Sequence, residues 1–449
     1  MHHSGLFVEP ACEHNNCPDK MGCSSPKPGE RTHPCAFQGS QSVLMPILDT
    51  AHLVHGTASC LQNGWGMLKA QSPGGSLSKL VFSMGLTEED LMLGSESKLL
   101  QMIGHIVRRH HPPCVFVYAT CATLFTMEDL NAVCEKAEQA WGISVIAVHN
   151  PGFAGGQNIG SRYAGEALFE KVIGTTTDVE DKESTPFDIN LIGEYSFSQE
   201  MKEIEGLLSE TGIRVVTRIG GDCSFDELRA AHLAKVNMLV GGRSMLNLAR
   251  HMQDSFGIPF CEGSFCGSNE IRFSLRQLAY YFQDAELDDR LQRFMRKEEA
   301  RVRKEISLTC KPLKGKKVVL FTEGAESWLY ISALYELGLR ITVIGTYSNA
   351  REDVSRIKER IKDDTLIITE IDEKSILELY EGRKADLMIV SGRSAYVPLK
   401  EKIPFLDIDG ERRKTYTGYA GLRRMAEDLM DILEQPIWQM VRRRSPWEV

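Results

Sequence analysis

The chain has 449 residues, of which 42% are hydrophobic and 25% charged, so it is long enough for two or three globular domains. Its net charge of −9 disfavours nucleic acid and anionic membranes as main partners, because both require a basic surface. It contains neither an apolar run long enough to span a bilayer nor a signal peptide, so we expect a cytoplasmic protein without membrane contact.

The first 34 residues are polar and rich in Pro, Gly and Cys, without a helical or strand period. We expect residues 1–34 to form an arm that packs against another surface, such as a partner subunit. After this arm the sequence settles into repeated α/β units. These units predict three domains, which comprise residues 35–185, 186–310 and 311–449.

Each predicted domain contains a strand–helix–strand set, and the sets begin near Cys114, Asp188 and Lys316. Three such sets in a row predict an α/β fold of three Rossmann-like domains, each a mainly parallel sheet flanked by helices. The charged stretch 284–304 is expected to be a solvated connecting helix. The predicted strands are 114–120, 143–148, 189–193, 213–217, 237–240, 317–321, 341–345 and 387–390, and the other predicted helices are 127–140, 198–209, 225–234, 244–256 and 327–337.

Motifs for binding dinucleotides or ATP are not found in the sequence. None of the three sets places G-x-G-x-x-G between a strand and a helix, and the glycines at 152–156 and 220–221 are too loosely spaced. A Walker-type lysine loop is also missing. We therefore expect that this chain itself binds neither NAD nor ATP.

The twelve cysteines need an explanation, because structural disulfides are not expected in a reducing compartment. Cys114 and Cys134 lie in apolar stretches and are expected to be buried fillers. Cys35, Cys60 and Cys121 instead lie at turns beside small residues, and Cys121 directly follows an apolar strand, where open α/β sheets place ligands. Such thiolates favour soft metals and iron–sulfur clusters, although their scattered spacing alone is a weak signal.

Several segments of the chain resemble the nitrogenase component-1 superfamily. They are Cys35-Ala-Phe-Gln-Gly39, His52-Leu-Val-His-Gly56, Tyr118-Ala-Thr-Cys121 and Pro151-Gly-Phe153. Further segments, at 188–195, 262–265 and 403–408, resemble the E subunit of the cofactor-maturation scaffold in this superfamily, and the likeness covers nearly the whole chain. The resemblance implies three α/β domains, a homologous β-like partner in an α2β2 heterotetramer, and electrons from an ATP-dependent iron–sulfur reductase.

The resemblance also implies two metal clusters. The first would be an interface cluster of the P-cluster or 4Fe–4S type, bound by Cys35, Cys60 and Cys121 and completed by the partner. The second would be a large iron–sulfur cluster within this subunit.

The usual anchors of the second cluster are missing, since Gly241 replaces the anchoring cysteine and Asp409 replaces a histidine or asparagine. Two cysteines, Cys261 and Cys266, follow another predicted strand at positions where relatives have aromatic or apolar residues. One interpretation is that Cys266 or Cys261 supplies a relocated ligand. The other is that both are buried fillers and no large cofactor binds, and the sequence leaves the two open.

The same resemblance assigns three more residues to the second cluster. Gln157 matches a glutamine that lines the nitrogenase cofactor, and Ser161 replaces the nitrogenase histidine four residues further on, so N₂ reduction with the nitrogenase proton donors is not expected. Gln157 and Ser161 are predicted catalytic residues, and Arg393 a cofactor-binding residue that tunes the cluster. A loop amide that satisfies backbone groups is the alternative for Gln157. His52 and His55 are expected to orient loops rather than bind metal.

Taken together, these features fit the methylthio-alkane reductases, which use nitrogenase-type clusters to cleave C–S bonds. The leading hypothesis is a catalytic α-like subunit that reduces a small thioether to a thiol and a hydrocarbon. The alternative is a scaffold subunit on which the iron–molybdenum cofactor of nitrogenase matures. Reduction of a tetrapyrrole, as in dark-operative protochlorophyllide reductase, ranks lowest, because that branch lacks the likeness at 262–265 and 405–408.

Overall fold

A computed structural model of the chain describes residues 35–62, 65, 77–123, 128–176, 184–193, 198–322, 326–346, 351–362, 364–408 and 415–441. The arm predicted for residues 1–34 lies outside the described residues, and so does Asp409. The chain divides into two compact units, the first ending at Glu262 and the second beginning at Gly263. Each unit is described by itself below.

The first sheet has the strand order β2-β1-β3-β4, and each of its strand pairs is parallel. Its strands are β1 (Ala51–His55), β2 (Leu80–Ser83), β3 (Cys114–Ala119) and β4 (Ser144–Val148). Every residue of β3 is buried, as expected for a central strand covered on both faces. His55 pairs with Ala119, so the loops after β1 and β3 leave the sheet at the same edge.

The helices around this sheet are α1 (Ala36–Leu44), α2 (Glu88–Leu93), α3 (Glu96–His110), α4 (Leu130–Trp141) and α5 (Gln157–Lys171). A single 3₁₀ turn, Gly152–Ala154, lies between β4 and α5. Glycines allow α1 and α5 to touch along their backbones. A Cβ atom on Gly160 would lie 1.7 Å from the Ala36 carbonyl oxygen, and one on Gly39 would lie 1.9 Å from the Gln157 carbonyl oxygen. Only glycine fits at these two positions.

The second sheet has the order β6-β5-β7-β8, with β5 (Asp188–Ile192), β6 (Arg214–Ile219), β7 (Val236–Val240) and β8 (Phe260–Gly263). Its helices are α6 (Ser198–Ser209), α7 (Phe225–Arg229) and α8 (Leu246–Phe256). The prediction of one helix over 225–234 is wrong in its second half, because α7 ends at Arg229 and a 3₁₀ turn follows at Ala231–Leu233. The Arg229 carbonyl accepts a hydrogen bond from the Gly174 amide at 3.0 Å instead of continuing the helix.

The second unit contains a five-stranded parallel sheet of order β11-β10-β9-β12-β13. Its strands are β9 (Lys317–Thr322), β10 (Arg340–Thr346), β11 (Leu366–Thr369), β12 (Leu387–Val390) and β13 (Phe405–Asp407). The helices of this unit are α9 (Ser268–Phe282), α10 (Ala285–Thr309), α11 (Glu326–Glu336), α12 (Arg351–Arg360), α13 (Glu373–Arg383), α14 (Tyr396–Lys400), α15 (Gly418–Glu434) and α16 (Ile437–Val441).

The charged helix α10 is solvated on one face only. Its buried residues Leu287, Leu291, Met295, Val302 and Ile306 recur every four or seven positions and form an apolar stripe. The opposite face carries the exposed charges that suggested a fully solvated connection. The stripe rather than the charges therefore fixes this helix to its unit.

These three parallel sheets flanked by helices confirm the predicted α/β fold class. Each sheet falls within one of the three predicted domains, while the chain divides into only two compact units. The domain limits at 185 and 310 therefore stay a prediction. Among the described residues, no helix is both long and apolar enough to cross a bilayer.

Candidate metal centre

Cys35 is placed at the amino-terminal end of α1 by two backbone contacts with the segment before α5. The residue forms an isolated antiparallel bridge with Gly156, and the Ala36 amide donates to the Gly155 carbonyl at 2.9 Å. The Cys35 amide donates to the Gln38 side chain at 3.1 Å, which satisfies a donor at the helix start. Its side chain is therefore held beside the loop that leads from β4 to α5.

Cys121 is placed by the loop after β3. The Thr120 hydroxyl donates to the His55 carbonyl at 3.0 Å and so ties this loop to the end of β1. The contact is tight at the next residue as well, because a Cβ atom on Gly56 would lie 2.4 Å from the Thr120 hydroxyl oxygen. Cys121 itself is exposed.

Cys35 and Cys121 come together at Gly152. A Cβ atom on Gly152 would lie 3.0 Å from the Cys121 sulfur and 3.4 Å from the Cys35 sulfur. Two thiols that are 86 positions apart in sequence thus face the same small space, and the missing side chain of Gly152 keeps that space open.

Cys60 lies in a short helical segment, residues 58–62, which follows β1 at the edge of the sheet that Cys121 also occupies. Its amide donates to the Thr57 carbonyl at 3.2 Å, and the Thr57 hydroxyl donates to its sulfur at 3.7 Å. Cys35 and Cys60 both pack, partly buried, against one hydrophobic cluster of the first unit. Cys60 thus shares a hydrophobic cluster with Cys35 and a sheet edge with Cys121.

Burial separates these three thiols from other cysteines of the chain. Cys114, Cys134 and Cys261 are at most 4% exposed. Burial raises the pKa of Cys134 and Cys261 to about 12 and that of Cys114 well above its usual 9.0, so these thiols stay protonated at neutral pH. The burial of Cys114 and Cys134 agrees with the filler role expected from their apolar surroundings.

The three predicted thiol ligands are accessible enough to contact a metal centre. No group of three His, Cys, Asp or Glu side chains in the described ranges is arranged to hold one ion. Cys35, Cys60 and Cys121 are all at least partly accessible, and Gly152 leaves room between two of them. Soft thiolates are the ligands that iron–sulfur clusters use.

The two histidines near the thiol loops have protein partners. His52 is fully buried, with Nδ1 at 2.8 Å from the Tyr118 hydroxyl and Nε2 at 3.1 Å from the Thr50 hydroxyl. Desolvation by burial lowers the pKa of His52 to about 3 and also lowers that of His55. Nε2 of His55 lies 2.8 Å from the Ser95 hydroxyl. Both contacts agree with the expected loop-orienting role.

The two predicted catalytic residues lie at the start of α5. Gln157 is the first residue of this helix and is partly buried. Ser161 is fully buried, and its hydroxyl lies 3.3 Å from the Gln157 carbonyl and 3.4 Å from the Gly39 carbonyl. Because the Ser161 hydroxyl faces these two carbonyls, the geometry assigns it to the α1–α5 contact, and its catalytic role stays a prediction.

The residues predicted for the second cluster are distributed over both units. Cys261 lies on β8 in the first unit, and its burial favours the filler interpretation. Cys266 belongs to the second unit and is 5% exposed. Arg393 belongs to the 3₁₀ turn Gly392–Ala395 after β12, and its side chain is outside the described part of the structure. Whether any of them binds a cofactor stays a prediction.

Gly241 differs from a cysteine in its backbone conformation as well as in lacking a thiol. Its φ angle is +85°, a backbone conformation that L-residues rarely adopt. A cysteine at this position would therefore strain the loop after β7. By contrast, a Cβ atom on the neighbouring Gly242 would meet no atom within 4 Å.

Two features of the site, the gap at Gly152 and the exposure of Phe153, are not evident from the sequence. The gap at Gly152 needs three segments to meet in space, and only its place in the Pro-Gly-Phe segment gave a signal. Phe153, the next residue, is 59% exposed although it is aromatic.

Known proteins share sequence and fold with this chain. Residues 35–434 match the family described as Nitrogenase component 1 type Oxidoreductase. The chain is 39% identical to the nitrogenase iron-molybdenum cofactor biosynthesis protein NifE of Rippkaea orientalis, covering 99% of this chain and 95% of that protein. It is 40% identical to the NifE protein of Nostoc sp., over 99% and 93% of the two chains.

A solved structure titled "Nitrogenase Cp1 at pH 5" shares the fold, with a TM-score of 0.83 and 25% identity over 96% of this chain and 94% of that chain. The family match covers most of the chain, and so do the NifE relatives. The chain therefore belongs to the nitrogenase component 1 type oxidoreductase family.

Proposed function

We propose that this chain is the α-like subunit of a redox complex in which Cys35, Cys60 and Cys121 bind an iron–sulfur cluster at the interface with a homologous β-like subunit. The approach of two thiols to Gly152 carries this proposal, because it leaves room for the cluster between accessible sulfurs. The open side of the site suits a thiolate donor from the partner. When bound, such a cluster accepts and releases single electrons.

For the role of the complex we propose the function that its relatives are named for, assembly of the iron–molybdenum cofactor of nitrogenase. NifE proteins 39–40% identical over 99% of this chain support this role. Gly241, which replaces the anchoring cysteine of the scaffold subunits that this chain resembles, is the feature that counts against this role. Cys266 or Cys261 is the candidate replacement anchor, and both are buried.

A second candidate function is reductive cleavage of the C–S bond in methylthio-alkanes, with electrons from an ATP-dependent reductase. The loop at Gly241 favours it, because its positive φ angle shows a backbone built for glycine where the scaffold subunits that this chain resembles have cysteine. Gln157, partly buried at the start of α5, is the polar residue that would face a cofactor-bound substrate. Its amide would hold a proton-bearing group by hydrogen bonding.

The interface cluster is tested by replacing its ligands one at a time. The chain is purified with its β-like partner as wild type and as Cys35→Ala, Cys60→Ala and Cys121→Ala, and iron, acid-labile sulfide and the electron paramagnetic resonance (EPR) signal are measured. Each variant should lose most of the interface iron. Cys310→Ala is the matched control, because Cys310 is a partly buried cysteine of the second unit. Full iron content in all three ligand variants would sink the proposal.

The two candidate roles are separated by one pair of assays on the same purified complex. A scaffold donates a cofactor that activates apo-nitrogenase and forms no thiol from a methylthio-alkane. A reductase releases thiol and hydrocarbon when the iron–sulfur reductase and ATP are present, and it does not activate apo-nitrogenase. Thiol release without activation would overturn the scaffold assignment in favour of the second candidate.

A further inference from the structure

His55 belongs to a buried hydrogen-bond network at the carboxyl end of β1. Its side chain is 1% exposed, and Nε2 lies 2.8 Å from the Ser95 hydroxyl and 3.5 Å from a Glu128 carboxylate oxygen. The Ser95 hydroxyl in turn donates to Glu128 at 2.9 Å, and the Ser95 amide donates to the other oxygen of the same carboxylate. Three side chains that are distant in sequence thus meet at the start of α3.

The donors and acceptors in this network determine where the imidazole proton lies. The Ser95 hydroxyl has one hydrogen, which it gives to the Glu128 carboxylate. The contact between Ser95 and His55 therefore requires the hydrogen on Nε2, so His55 donates to Ser95. Burial lowers the pKa of His55, which agrees with a neutral imidazole that carries a single proton.

The main chain of His55 makes a second contact, with the residue that precedes Cys121 in the sequence. The His55 carbonyl accepts a hydrogen bond from the Thr120 hydroxyl at 3.0 Å, directly before Cys121. The side chain, through Ser95, reaches Glu128, which follows Cys121 by seven positions. One residue of β1 thus contacts the chain both before and after this thiol.

His52 provides a contrast within the same strand. It is as deeply buried as His55 and also makes two side-chain hydrogen bonds, to Thr50 and Tyr118. Neither partner lies in the chain between Thr120 and Glu128. Losing His52 should therefore perturb the core without releasing the loop that carries Cys121.

We propose that His55 is a positioning residue for Cys121, because its carbonyl holds Thr120 directly before this thiol and its Nε2–H holds Ser95, which in turn donates to Glu128. The role in loop order stands independently of any cluster, whereas the role in cluster geometry rests on the proposed function. Gln is the conservative replacement, since its amide nitrogen reaches the position of Nε2 and can donate to Ser95. Ala removes this donor.

Hydrogen exchange in the purified chain without metal tests the loop order. In His55→Ala, the amides of residues 120–123, which exclude the His52 partner Tyr118, should exchange about tenfold faster than in the wild type, as expected for the loss of one buried hydrogen bond. His55→Gln should restore the wild-type rate, and His52→Gln is the matched control that should not change this segment. Because His55→Ala removes a buried side chain, Ser95→Ala provides a second variant that breaks the same link.

The cluster role is read from the complex with the β-like partner. His55→Ala and Ser95→Ala should retain iron but shift the EPR g-values and the midpoint potential, while His55→Gln should match the wild type. Wild-type exchange rates in both His55→Ala and Ser95→Ala would overturn the positioning role, and so would an equal change in His52→Gln. Altered exchange combined with an unchanged EPR signal would support the role of His55 in loop order and overturn its role in cluster geometry. Absence of iron from the wild-type complex would instead refute the proposed function.

Discussion

Gly152 shows how one absent side chain shapes the metal centre. The position separates the Cys35 and Cys121 sulfurs, and both would lie within 3.4 Å of a Cβ atom placed there. Side chains larger than hydrogen would fill the gap between two candidate ligands. A substitution at this position should therefore affect the metal centre before it affects the fold.

The first prediction is that Gly152→Ala lowers the iron content of the complex to less than half without unfolding the chain. The added methyl group crowds both thiols, and at 3.0 Å from the Cys121 sulfur it requires that thiol to move. Iron analysis and the thermal unfolding temperature check this. The matched control is Gly242→Ala, where the new methyl group meets open space. Normal iron content in Gly152→Ala would show that the gap is not used.

His52 makes the stability of the chain depend on pH. Burial lowers its pKa to about 3, whereas an unfolded histidine has a pKa near 6.5. Below pH 6.5 His52 takes up a proton in the unfolded chain but stays neutral in the folded chain. Stability from this residue is therefore fully present above pH 6.5 and is lost progressively as the pH falls towards 3.

The second prediction follows from this difference. Between pH 7 and pH 5 the free energy of unfolding of the wild type should fall by about 2 kcal/mol because of His52. His52→Gln should not show this fall, because glutamine does not titrate. The stability gap between the two proteins should therefore narrow as the pH falls. Chemical unfolding at both pH values measures it. A gap of equal size at pH 7 and pH 5 would show that His52 is not the titrating group.

At the scale of elements, the contact between α1 and α5 determines where Cys35 lies. Gly39 and Gly160 bring the two helix backbones together, and the Ser40 hydroxyl donates to the Gly160 carbonyl at 2.7 Å across the contact. Cys35 directly precedes α1 and Gly152 precedes α5. The spacing between these two helices therefore controls the geometry of the metal centre.

The third prediction concerns this contact. Gly160→Ala should destabilise the first unit by about 3 kcal/mol, because the methyl group would lie 1.7 Å from the Ala36 carbonyl and force the helices apart. Gly206→Ala in α6 is the control, since its methyl group meets no atom within 4 Å and should add about 0.5–1 kcal/mol through helix propensity. Denaturant unfolding measures both. A tolerated Gly160→Ala would contradict the close packing.

The sequence predicts well those helices and strands whose own residues show a clear hydrophobic pattern. The helix Ser198–Ser209 and the strand Leu387–Val390 have their predicted limits. The strand β1 was not predicted, because its sequence Ala-His-Leu-Val-His carries two histidines that are buried only through tertiary hydrogen bonds. The short strand β13, three residues long, also lacks a local pattern.

The sequence predicts those features of the site that depend on local turns and on exposure. The sequence singles out Cys35, Cys60 and Cys121 because it predicts turns at all three, and the structure leaves them at least partly accessible but places Cys60 in a helical segment. The gap at Gly152 and the network of His55, Ser95 and Glu128 depend on segments far apart in sequence, so spacing could not reveal them.

At the scale of the whole molecule, the surface beside the thiols indicates how a partner would bind. Phe153 is 59% exposed and lies in the 3₁₀ turn next to Gly152, between β4 and α5. The Ala154 amide donates to the Pro151 carbonyl at 2.9 Å, which holds the turn that presents the ring. An aromatic side chain in a fixed turn is a typical anchor of a protein interface.

The last prediction is that Phe153→Ala weakens association with the β-like subunit by at least about tenfold, because an aromatic anchor contributes more than 1 kcal/mol when a partner buries it. The dissociation constant is measured by titrating the purified partner, with and without iron. Phe273→Ala is the matched control, since Phe273 is 57% exposed but lies on α9 in the second unit. Weaker binding in both metal states would identify Phe153 as a contact that acts independently of the cluster. Unchanged binding in both states would place the interface away from this turn and leave the three thiols without the proposed enclosing chain.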